Sequence, residues 1–94
     1  MFRPGFIFQI SPQPNPADSG STPVRLGIIA SRKVGKAHER NLARRRLREI
    51  FRQYQSLLPS GIDLVLIIRS GIKKQSFEEI RQDYLRCVSK SQTA

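Results

Sequence analysis

At 94 residues with one cysteine, the chain has room for a single domain with a modest core, which excludes an internal disulfide framework, a CxxC metal or redox site and a separate catalytic module. Seventeen Lys and Arg against seven Asp and Glu give a net charge of +10 at pH 7, a balance that favours a polyanionic partner, nucleic acid first. The longest apolar stretch, Leu64 to Ile68, is far below bilayer-spanning length, and the N-terminus lacks a charged-then-apolar signal pattern, so the expectation is a soluble, reduced, cytoplasmic protein with no membrane partner.

FIFQIS, residues 6 to 11, reads as a short strand. The stretch from 12 to 23 that follows is rich in proline, glycine and small polar residues and is expected to be a flexible loop. Val24 to Ser31 places Val24, Leu26, Ile28 and Ala30 on one face, which suits a strand paired antiparallel with the first. Gly35 marks a turn. Helical periodicity then runs from about Glu39 to Leu58, ended by Pro59 and Gly61, and Asp63 to Arg69 is an apolar run suited to an inner strand. A closing helix starts at SFEE, where Ser76 and Glu79 have capping-box spacing, and Phe77, Ile80, Tyr84 and Val88 recur at helical intervals. The whole is one domain, 1 to 94, with an ordered core over 6 to 89.

Charge is concentrated in one place. Residues 32 to 52 carry nine basic and two acidic side chains, a net +7 of the total +10. On a wheel of about 100° per residue, Ala43, Leu47, Ile50, Phe51, Tyr54, Leu57 and Leu58 share an apolar arc, and Asn41, Arg44, Arg45, Arg48 and Arg52 lie opposite. Leu42 and Arg46 fall on a flank, and Glu49 is within one turn of Arg45, Arg46 and Arg52. A solvated helix face usually mixes signs, whereas four like charges on one stripe repel unless an anion compensates them. Arginine suits phosphate and bases, because its planar fork donates paired hydrogen bonds and stacks. Upstream, Arg32, Lys33 and Lys36 surround Gly35 ahead of a helix N-terminus, where backbone amides favour anions.

The run RLGIIASRKVGKAHERNLARRRLRE, residues 25 to 49, resembles the signature of the bacterial ribonuclease P protein subunit: a strand, a basic K-x-G turn and an R-N-x-x-[KR]-R helix. The later strand and closing helix also stand where that family has them. The resemblance implies an α+β fold, a small single-domain α/β sandwich like domain 2 of ribosomal protein S5. Its mixed sheet would contain a βαβ crossover of left-handed sense, against the usual right-handed default. It implies a protein that assists a catalytic RNA in removing the 5′ leader from precursor tRNA, with ribonuclease P RNA and precursor tRNA as partners. No cofactor would be bound by the protein itself, since magnesium works with the RNA subunit. It further implies that Arg40, Asn41, Arg44, Arg45 and Arg48 contact that RNA together with Lys33 and Lys36, and Arg32, Arg46 and Arg52 complete the RNA-binding set from the patch itself.

Two departures from the family pattern stand out. Leu42 occupies a position that is usually basic, so Arg46 is the candidate to replace that contact. The family also usually has a helix ahead of the first strand, which forms a cleft with the sheet for the leader, and this chain starts almost at the strand. Phe2, Phe6 and Phe8 are candidate stacking surfaces for single-stranded bases, although Phe6 and Phe8 also suit core packing in an edge strand.

The alternative is another basic RNA-binding protein, such as a small ribosomal protein, without a role in tRNA processing. DNA is not an expected partner, because a helix-turn-helix needs a second helix just before the recognition helix and a strand precedes it here. No catalytic residue is assigned to the chain: His38 is the only histidine and lacks an oriented partner, and the carboxylates show no paired arrangement for metal chemistry. Cys87 is expected in the core.

Overall fold

A computed structural model describes residues 1–13 and 23–91. It contains strands β1 (Phe6–Pro12), β2 (Arg25–Ile29) and β3 (Ile62–Ile68) and helices α1 (Ala37–Tyr54) and α2 (Phe77–Ser91). Short 3-10 turns lie at Arg32–Val34, Gln55–Leu57 and Ser70–Lys74. Most of the expected loop at 12 to 23 lies outside the described residues. Its described ends are held: Pro12 closes β1, and the buried Gln13 amide donates to the carbonyls of Pro23 (2.9 Å) and Ile62 (3.0 Å).

The sheet order is β1-β3-β2, with β1 antiparallel and β2 parallel to β3. The expected antiparallel pairing of the first two strands is therefore wrong, because β3 separates them. The reason is the apolar character of β3: a strand with Leu64, Leu66 and Ile68 on one face and Val65 and Ile67 on the other is best satisfied in the middle, with neighbours on both edges. The β2–α1–β3 unit supplies one neighbour and β1 the other. Arg25 clasps Asp63 across the parallel pair, donating from Nε and Nη2 at 2.7 and 2.8 Å.

Alternation along the strands turns one face of the sheet to both helices. Phe6, Phe8, Leu64, Leu66 and Ile68 meet Ala43, Leu47 and Ile50 of α1 and Ile80, Tyr84, Cys87 and Val88 of α2 in one core. Val24, Leu26, Ile28 and Ala30 pack on its margin, as their spacing predicts. Phe8 and Tyr84 meet edge to face, with ring centroids 5.7 Å apart. Burial pushes the Tyr84 phenol and the Cys87 thiol above their usual ranges.

Helix α1 begins two residues earlier than its periodicity suggests, because the Glu39 carboxylate accepts the Lys36 backbone N–H (2.8 Å) and closes the first turn. It ends earlier too. The chain tightens into the 3-10 turn at Gln55–Leu57, and Leu58, next to Pro59, is extended as a residue before proline must be. At three residues per turn, Leu57 leaves the apolar stripe and is exposed, whereas Leu58 is buried. In α2 the capping box is as expected: Ser76 N–H donates to Glu79 (3.0 Å) and Glu79 N–H to Ser76 Oγ (3.1 Å). Periodicity does not reveal the role of Asp83. This buried carboxylate accepts from Arg3 (2.7 Å) and Gln75 (3.1 Å), tying residues at the two ends of the chain together.

Candidate nucleic-acid interface

The basic surface is built by α1 and by the two segments that lead off the sheet beside it. Ala43, Leu47 and Ile50 anchor one side of α1 in the core, so the opposite side is held in solvent by the same packing. Along that side Asn41, Arg44, Arg45, Arg48, Glu49 and Arg52 line one shallow groove, as the wheel predicts.

The guanidinium groups there are lightly engaged. Arg44 reaches Asn41 Oδ1 only at 3.5 Å, and Arg52 approaches Glu49 at 3.8 Å. Glu49 also accepts from Gln53 (3.3 Å), and it forms no ion pair with Arg45 or Arg46 among the described residues. Arg32, Lys33, Lys36, Arg45, Arg46 and Arg48 likewise form no ion pair with a carboxylate among the described residues. Arg40 differs. It is half-buried and donates from Nη1 to the Gly35 carbonyl (2.9 Å), so it braces the loop ahead of α1 as well as facing the edge of the patch.

That loop has a backbone only glycine tolerates. Gly35 sits at φ +156° and ψ −163°, and a Cβ there would lie 2.6 Å from Glu39 Oε1, the atom that caps the helix. Lys33 and Lys36 are exposed on either side of it. Lys73, which the sequence reading missed, joins them: a Cβ on Gly35 would also meet its Cδ, and the turn at Ser70–Lys74 packs against the one at Arg32–Val34. Parallel pairing is the cause, since it brings the segments after β2 and β3 to the same end of the sheet.

Arg46 is placed apart from the stripe. With His38, Glu39, Leu42 and Lys73 it rims a second groove, whose floor is Ala43, Ile72 and Ile80. Phe6 and Phe8 are 0% and 1% exposed, so the reading of these two rings as leader-stacking surfaces is overturned; alternation along β1 turns them into the core. Phe2, by contrast, is 74% exposed, bridged to Ile7 beside β1. His38 is exposed, and among the described residues no three His, Cys, Asp or Glu side chains come together to hold a metal. No helix among the described residues is long and apolar enough to cross a membrane.

Two carboxyls, Glu39 beside the basic loop and Asp63 at the opposite end of the parallel strand pair, titrate low. The Lys36 N–H holds Glu39 below the usual carboxylate range, and the Arg25 guanidinium does the same for Asp63. A carboxyl with a lowered folded value stabilises fully above its unfolded value, about 4, and loses that contribution as pH falls through the folded one. Glu39→Gln should therefore melt below wild type at neutral pH and converge with it as pH falls below the usual carboxylate range. Parallel melting curves across that range would show that the Glu39 charge does not stabilise α1.

The chain matches the family model described as Ribonuclease P over residues 2–92. Among curated relatives, the ribonuclease P protein component of Syntrophomonas wolfei is 42% identical over 67 residues, covering 71% of this chain and 56% of that protein. That of Thermotoga maritima is 48% identical over 56 residues, covering 60% and 47%. Among solved structures, the RNase P protein of Thermotoga maritima superposes with a TM-score of 0.78 at 29% identity, covering 96% of this chain and 80% of that one. The Staphylococcus aureus RNase P protein gives 0.73 at 27%, covering 96% and 76%. The chain spans about half the length of the curated relatives it matches.

Proposed function

The chain belongs to the ribonuclease P protein family, and from that premise we propose that it acts as the protein subunit of ribonuclease P, assisting a catalytic RNA in endonucleolytic removal of the 5′ leader from precursor tRNA. The observation that carries the reading is the arginine stripe of α1, held in the family's strand–turn–helix setting and, among the described residues, without carboxylate partners along most of its length.

The mechanism is electrostatic. Arg44, Arg45, Arg48 and Arg52, with Asn41, lie along phosphates of the RNA subunit, and Arg32, Lys33, Lys36, Arg40 and Arg46 extend the contact around the start of the helix. Positive charge placed between two polyanions lowers their repulsion, favours the folded RNA and the substrate complex, and reduces the magnesium needed. In this reading the RNA holds the magnesium and supplies the hydrolytic chemistry. The family resemblance further implies a left-handed β2–α1–β3 crossover and a likeness to domain 2 of ribosomal protein S5; the mixed sheet with β2 parallel to β3 is compatible with both.

The test is 5′ cleavage of a precursor tRNA by a bacterial ribonuclease P RNA at low magnesium, with and without this protein. Stimulation is expected. RNA binding without stimulation would leave an RNA-binding protein with no part in cleavage, and absence of binding would refute the reading.

A further inference from the structure

The groove on the far flank of α1 differs in kind from the arginine stripe. Its floor is apolar, formed by Ala43 of α1, Ile72 of the turn after β3 and Ile80 of α2, each no more than 4% exposed. Leu42 walls it and stays 40% exposed, an apolar side chain held open in the second turn of the basic helix. Around the rim stand His38, Arg46 and Lys73, with Glu39 the only acid among the described residues, and one of its oxygens is taken by the Lys36 N–H. The space is about 260 Å³, just under the range of about 300–1,000 Å³ usual for drug-sized ligands.

An apolar floor with cations at its mouth suits a group that presents a flat stacking face at one end and an anion at the other. A nucleotide has that form. RNA offers such groups where loops and bulges leave bases unstacked, and proteins receive them on apolar or aromatic surfaces and on arginine planes. The stripe lies one flank away on the same helix, so an RNA strand seated on Arg44, Arg45 and Arg48 passes beside the mouth of the groove.

We propose that this groove receives one unpaired nucleotide of the RNA partner, its base on Leu42, Ala43, Ile72 and Ile80 and its phosphate against Arg46 and Lys73. The proposal rests on the RNA-binding reading above and adds a base-stacking element to a surface that otherwise touches phosphates. It also gives Leu42 a role. The groove needs an apolar residue at the position that the family pattern makes basic.

The test measures binding of a bacterial ribonuclease P RNA at several salt concentrations, together with dimethyl sulfate probing of its unpaired bases, for wild type, Leu42→Asn and Lys73→Ala. Leu42 is partly exposed, so Leu42→Asn should keep its fold, checked by circular dichroism. It should bind about tenfold more weakly with an unchanged salt slope, because a base contact releases no counterions. One unpaired base protected by wild type should regain reactivity with this variant. Lys73→Ala should lower the slope by about 1. Binding of Leu42→Asn within twofold of wild type with the same protections would overturn the nucleotide site while leaving the stripe intact. Failure of the wild-type protein to bind the RNA would instead refute the underlying RNA-binding reading, and the site with it.

Discussion

Replacing Arg44, Arg45 and Arg48 together by Ala should weaken binding to ribonuclease P RNA by about 100-fold or more while leaving the fold intact. Each guanidinium faces solvent along α1 and forms no ion pair with a carboxylate among the described residues, so the folded protein alone gains little from them. Removing three neighbouring like charges should leave melting unchanged or raise it slightly, since their mutual repulsion goes with them. Bound to RNA the balance reverses. Charge-assisted hydrogen bonds to phosphate contribute about 1.5–3 kcal/mol each, and each neutralised phosphate adds roughly 0.7–0.9 to the salt slope. The triple variant should therefore lose about 2–3 from the slope of log affinity against log salt. A normal slope would mean that other cations carry the contact, and loss of helical circular dichroism would mean that the arginines are structural.

The stripe could be read in the sequence because it depends on one local quantity, the 3.6-residue turn. Once Leu47 and Ile50 are assigned to the core, Arg45 and Arg48 have no other direction to face, and Arg44 falls on the adjoining flank, half-buried. Strand order is not local in this way. Taking β1 and β2 as partners follows from their adjacency in the chain, yet an apolar β3 assigned to the interior already demands a neighbour on each side. Combining those two statements places β3 between the others and, by parallel pairing, sets Lys73 beside Gly35. The pair Arg3–Asp83 offers no comparable signal, since no periodicity links residues 80 apart. Arg40 lies between these cases: the wheel puts it at the edge of the apolar arc, and the Gly35 carbonyl that it meets belongs to a loop whose path the wheel does not describe.

Leu47→Ala should have the opposite effect from the arginine variant, although residue 47 lies between two of the residues that variant changes. Leu47 is fully buried among the sheet and both helices, and truncating such a leucine costs about 2.7–5 kcal/mol, from lost burial and the cavity left behind. A 94-residue domain has roughly 5–14 kcal/mol of stability in all, and each kcal/mol lost moves the melting temperature of a domain this small by about 4–8 °C. A fall of at least about 10 °C is expected. The salt slope of RNA binding, measured well below that melting point, should stay at the wild-type value, because no cation has been removed. The two variants together would separate what α1 does for the fold from what it does for the RNA. If Leu47→Ala also flattened the slope, the stripe would depend on tight packing beneath it to hold its arginines in register, and the two faces of the helix would have to be treated as one coupled unit.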